Sequence, residues 1–221
     1  MRAFPLSTDT PDDSIVANPR LSGLFAFNRQ RKQSSRDNLL IAATKLFCRD
    51  GYANVGIEDI TSEAGVSRIT FYRHFSAKSA VALELFQHAA VEGAPRVLAI
   101  ADRDYRDRDT VVEWLAEFFA ADREMQGILR VLAQANVQEA DFSKQVHPFI
   151  DDLIADLGQK IPAFADCSGP DCDQHRRIKA WLLLYTILDQ SNAAATDSSV
   201  VESAVLVDVL ADSFLDFVRK E

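Results

Sequence analysis

Cysteine is scarce in this chain. Three thiols in 221 residues, Cys48, Cys167 and Cys172, are too few for a disulfide framework. Cys167 and Cys172 flank a Ser-Gly-Pro-Asp turn, with His175 three residues on. That spacing suits a zinc or redox pair, but no fourth ligand follows, and a polar loop holding two thiols is the better reading. Cys48 sits in an apolar stretch and reads as a small buried hydrophobe. Long hydrophobic runs are missing too. No stretch reaches the length of a membrane span, and the N-terminus lacks the apolar core of a signal peptide. A cytoplasmic protein without membrane contact is expected. There is no serine elbow, no glycine-rich phosphate loop and no His-Glu-x-x-His pair. The expectation is therefore no enzyme, no metal and no cofactor. No segment alternates strongly enough to require a strand, and helical periods recur throughout. The predicted class is all-α.

Positive charge is in deficit overall, but unevenly so. The formal charge is −9. Residues 29–80 hold nine Lys/Arg and five Asp/Glu, a net of +4, whereas residues 81–221 hold 13 and 25, a net of −12. An acidic body would repel DNA except through its basic end. Ordinary surface charge for solubility is the bland alternative.

The basic segment carries the most ordered pattern in the chain. Leu39, Leu40, Ala43, Leu46 and Phe47 recur at helical spacing, after Ser34 or Ser35 as a cap and before Gly51 as a stop. A second helix is predicted over 57–64, with Ile57, Ile60 and Ala64 inward. Gly65-Val66-Ser67 is a tight turn, and Ser67 can cap a third helix running from Arg68 to about Phe75. Helix, tight turn, helix is the helix-turn-helix arrangement. Ser67, Arg68 and Thr70 would then meet base edges, while Tyr72, Arg73 and His74 suit phosphate oxygens. Lys78, opening a fourth helix, can meet another phosphate. Arg29, Arg31, Lys32 and Arg36 form a basic arm, either reaching a minor groove or simply solvated.

The segment resembles the tetracycline-repressor (TetR) family of bacterial transcription regulators. The shared residues are A-A-x-x-L-F-x-x-x-G-Y at Ala42 to Tyr52, I-x-x-I at Ile57 to Ile60, A-G-V-S at Ala64 to Ser67, T-F-Y-R-H-F at Thr70 to Phe75, and Lys78. The chain departs from the family pattern at three places. Val55-Gly56 replaces a hydroxyl pair that opens the second helix; the lost capping hydroxyl costs at most about 1 kcal/mol, and Gly56 is a tolerable cap. Ile69 stands where glycine is usual, and can either touch a thymine methyl or pack. Ala77 replaces a serine, leaving Ser76 to cap the fourth helix.

Residues 1–28 have no hydrophobic period and read as a disordered extension. Residues 29–80 are the DNA-binding domain, and 81–221 a larger helical regulatory and dimerisation domain. Within it a helix over 78–92 is expected to break or kink at Gly93-Ala94-Pro95. Further helices are expected over 110–121, 123–135 and 147–161, with Pro148 in a first turn and 162–173 as loop. The last two, over 174–193 and 200–219, are apolar on more than one side, and Ser199-x-x-Glu202 offers a capping box. Surplus apolar surface suggests a partner. The resemblance implies a four-helix dimer bundle here, and Trp181, Tyr185, Val207 and Phe214 are the candidate interface residues. It also implies a small-molecule pocket in the body. Trp114, Phe118, His147, Trp181 and Tyr185 are candidate lining, though each reads as readily as plain core. The expected protein is a homodimeric regulator, most simply a repressor. It would leave a near-palindromic double-stranded operator when a small effector of unknown identity binds. A pocket-free architectural or protein-regulated factor is the alternative, and an all-helical enzyme the more distant one.

Overall fold

A computed structural model describes residues 35–139, 142–165, 167, 173–196 and 203–219. The N-terminal extension, most of the basic arm, Cys172 and the Ser199–Glu202 capping box lie outside the described residues. Every regular element among the described residues is helical. The chain forms two compact units, 1–89 with 124–143, and 90–123 with 144–221. The first unit holds the helix-turn-helix segment together with residues 81–89 and a later helix.

In the first unit, α1 (Ser35–Asp50) buries Leu39, Leu40, Ala43, Leu46 and Phe47. Gly51 ends it with φ 85°, a left-handed conformation that any side chain would strain. α2 (Ile57–Glu63) follows, capped at Gly56. Glycine offers no side-chain acceptor, but its N–H donates to the Asp59 carboxylate at 2.8 Å, so half of a capping box survives. Gly65, with φ 65°, reverses the chain, and α3 (Arg68–His74) begins at once. α4 (Lys78–Leu98) contributes Val81, Ala82 and Leu85 to this unit's core. α6 (Gln126–Gln138) lies against α1 with Ile128, Val131, Leu132 and Ala135 buried.

The second unit is built from the end of α4, a 3₁₀ turn (Ala99–Asp102), α5 (Arg108–Glu124), most of α7 (Phe142–Gly158), the single turn α8 (Pro162–Ala165), α9 (Gln174–Thr196) and α10 (Ser203–Arg219). Its core is aromatic. The rings of Trp114 and Phe214 are 5.4 Å apart, and Phe164 sits 4.8 Å from Phe217. The Trp114 indole N–H donates to the Arg96 carbonyl at 2.9 Å, so this deep ring leaves no polar atom unpaired.

Several element boundaries differ from expectation. Gly93-Ala94-Pro95 does not interrupt α4, and α7 begins at Phe142, which puts Pro148 inside it rather than in its first turn. Both prolines are on exposed flanks, as are Val91 and Lys144 one turn earlier, whose carbonyls a proline nitrogen cannot serve. Water can satisfy such carbonyls, which lowers the usual cost of an interior proline. Residues 162–165 form a helical turn rather than loop. Gly158 permits it, because a Cβ there would lie 3.0 Å from the backbone of Ala165.

Val207 and Phe214 were expected at a dimer interface. They are instead buried within the second unit, Phe214 completely. α10 turns Val207, Leu210, Ala211, Phe214 and Val218 inward as one helical stripe and leaves Val205 and Val209 outside.

Candidate nucleic-acid interface

α3 is presented by the structure beneath it. Phe71 is fully buried and faces Phe75, with ring centroids 5.8 Å apart, which fixes the helix by its inner side. The Ser67 hydroxyl accepts from the Thr70 N–H at 3.2 Å, satisfying a donor that a helix start otherwise leaves free. The outer side then carries Ser67, Arg68, Ile69, Tyr72 and Arg73, all exposed.

Not every candidate is equally available. Arg68 pairs with Glu58 of α2 at 2.6 Å. Its pKa is raised, first by a hydrogen bond with Tyr72 and then by the Glu58 charge. The guanidinium is thus aimed by two neighbours while remaining solvent-exposed. Glu58 was not anticipated, and the only hint in the sequence was an acid in the first turn of α2. His74 is half-buried and shares a 2.8 Å hydrogen bond with Ser35. Arg36 meets Glu84 through both guanidinium nitrogens and lies 5.1 Å over the Phe75 ring.

Lys78 is turned inward. Its ammonium donates to the Tyr52 and Val55 carbonyls at 2.8 and 3.0 Å, and lies 4.1 Å from the Tyr52 ring centre. Burial lowers its pKa. It pins the segment between α1 and α2 in this conformation rather than reaching outward. Tyr52 is held from α6 as well. Its N–H donates to Gln134 at 2.7 Å, and its hydroxyl to Glu139 at 2.7 Å. Burial and the Glu139 carboxylate both raise the phenol's pKa. No sequence signal pointed to these long-range partners.

The body candidates separate into two groups. Trp114 and Phe118 are buried in the aromatic core. His147, Trp181 and Tyr185 instead form a ladder of rings nearer the surface. His147 meets Trp181 edge-on at 5.1 Å, and Trp181 stacks on Tyr185 at 5.0 Å. A groove of about 430 Å³ between α9 and α10 is lined by Lys179, Leu182, Leu183, Leu210, Asp216 and Phe217 among others, and by none of the five candidates. Cys167 is buried, and its thiol approaches the Ala163 carbonyl at 3.4 Å. Burial pushes the Cys48 thiol up to about 11, which disfavours the nucleophilic thiolate. Among the described residues no cluster of metal ligands is present, and no helix is long and apolar enough to cross a membrane.

Two helices joined by a tight glycine turn, with the second capped, anchored and outwardly basic, define a helix-turn-helix DNA-binding module. Residues 39–86 match the family described as bacterial regulatory proteins, tetR family. Through this module the chain is similar to TetR-family regulators. It is 30% identical over 122 residues to the HTH-type transcriptional activator FasR of Mycolicibacterium smegmatis, covering 54% of this chain and 55% of that one. It is 42% identical over 77 residues to the HTH-type transcriptional regulator TcmR of Streptomyces glaucescens, covering 34% and 31%. The chain therefore spans about half the length of FasR, and less of TcmR. Salmonella enterica GusR has a similar structure, with a TM-score of 0.55 at 19% identity over 84% of this chain and 95% of that one. At that identity the likeness concerns the fold alone.

Proposed function

We propose that this chain is a DNA-binding transcriptional regulator that works as a homodimer. α3 of each copy enters one of two successive major grooves of a near-palindromic operator. The observation that carries this reading is α3 itself, seated by Phe71 while Arg68 and Tyr72 stand exposed. Arg68 supplies base readout, since a guanidinium can meet guanine bidentately. Tyr72, Arg73 and Ser67 add contacts to the phosphate backbone.

Assembly is supported by what α9 and α10 leave uncovered. Ile178, Leu182 and Tyr185 on α9 are outward at i, i+4 and i+7, as are Val205 and Val209 on α10. A second copy would cover this face, with the Trp181–Tyr185 stack at its edge. The residues that make it are Leu182 and Val209, in place of Val207 and Phe214.

The body carries regulation in this reading. A small effector that prefers one arrangement of the dimer shifts the population away from DNA, and DNA weakens the effector by the same factor. Asp122 and Ser191 support it, as a hydrogen-bonded polar pair at 2.6 Å among the otherwise apolar buried residues described in this unit. A regulator without a small-molecule site is the second reading, favoured by the close packing of Trp114 and Phe118. Selection of bound duplexes from a random pool tests the DNA-binding claim. Arg68→Ala should relax preference at one base pair per half-site by about 1–3 kcal/mol, whereas Tyr72→Phe should weaken all sites alike. Loss of neither preference nor affinity in Arg68→Ala would remove α3 from its role. Thermal-shift screening of apolar and amphipathic compounds, followed by release assays, separates the two regulatory readings.

A further inference from the structure

Ile69 is left unexplained by packing. It is the second residue of α3 and is 83% exposed. Its neighbours are engaged: Arg68 with Glu58, Thr70 with the Ser67 hydroxyl at 3.0 Å, and Phe71 in the core. Helix propensity does not account for it either, because a β-branched side chain is no better than neutral in a helix. An isoleucine held out in water costs solubility and gains nothing within this unit. It does so on the outer side of α3, next to Arg68 and in the segment with net charge +4.

We propose that Ile69 reads the C5-methyl group of a thymine in each half-site. The inference rests on the reading of α3 as the helix that enters the major groove. There, thymine is the base that presents an apolar group. Isoleucine has no hydrogen-bonding atom, so it can neither hold a phosphate nor sort donors from acceptors. What it can do is exclude water from a methyl group, and the first turn of a recognition helix is the part that meets base edges. Burying one such group is worth about fourfold in affinity.

The test begins with duplexes enriched by the full-length chain from a random pool. Each thymine of one half-site is replaced in turn by deoxyuridine, which removes the methyl group and leaves the pairing edge intact. Dissociation constants are measured for the native protein and for Ile69→Ala, whose exposed position should leave its thermal melt unchanged. One replacement should weaken the native protein about fourfold, and about fifteenfold when made in both half-sites. Ile69→Ala should bind the thymine and deoxyuridine duplexes equally. Indifference of the native protein to every replacement would overturn the proposal, as would equal losses in both proteins. A pool that yields no enriched sequence would overturn the DNA-reading role itself, and this inference with it.

Discussion

Asp122 shows what a single side chain does to this protein's pH behaviour. It is the only carboxylate in the buried set among the described residues, and it accepts from Ser191 at 2.6 Å. Burial raises its pKa from 3.8 to about 6, against the opposing pull of the Ser191 hydrogen bond and the Arg96 charge. Below the lower value the carboxyl is protonated in both folded and unfolded chains and contributes no difference. As pH rises through the interval, the unfolded chain gives up its proton first, so stability falls. The loss is complete above the folded pKa and is on the order of 3 kcal/mol. Asp122→Asn keeps an acceptor for Ser191 and removes the titration. Its denaturant midpoint should therefore fall less than the native protein's between about pH 4 and 6.5, and should exceed it at neutral pH. Parallel profiles for the two proteins would show that Asp122 is not the group responsible.

At the scale of the element, the two flanks of α9 and α10 should respond oppositely to charge. Leu182 is 52% exposed and Val209 57%, whereas Phe214 is fully enclosed between Trp114 and Phe164. Leu182→Glu and Val209→Glu should give folded monomers in light scattering at micromolar concentration. Phe214→Glu should fail to fold, because it places an unpaired charge in an aromatic core. A native protein that is itself monomeric would contradict the dimer. Lys78 offers a second contrast. Lys78→Ala removes two hydrogen bonds to the Tyr52 and Val55 carbonyls, so it should lower the melting temperature as well as DNA affinity. Weakened DNA binding with an unchanged melt would return Lys78 to a direct phosphate contact.

These elements also show what a linear reading can carry. α1, the glycine turn and the Ser67 cap follow from local periodicity and backbone chemistry, so they were legible residue by residue. Which stripe of α10 faces inward was not. Its apolar arc is wide enough for either, and the neighbouring rings of Trp114 and Phe164 come from distant chain positions. The continuation of α4 and α7 through proline was hidden for a related reason. It depends on water reaching Val91 and Lys144, an exposure that tertiary packing decides. In the candidate interface, Arg68 and Tyr72 were legible, but Glu58, Gln134 and Glu139 were not, since their partners lie in other elements.

At the scale of the whole molecule, charge partition sets how the proposed regulator would meet DNA. A +4 segment on a chain of net charge −9 confines phosphate attraction to one part of its length. Binding should be steeply salt-dependent, losing on the order of a thousandfold between about 50 and 200 mM salt if six phosphates are neutralised by the dimer. Arg73→Ala should flatten that dependence by about one unit of slope per copy, as measured by titration across a salt series. The most direct test of the central claim is a hydroxyl-radical footprint of the full-length protein on its enriched duplex. The account expects two protected patches related by a dyad, with centres about one helical turn or a multiple of it apart. Both should be lost together in Arg68→Ala/Tyr72→Ala. A single asymmetric patch, or protection that survives the double substitution, would contradict it.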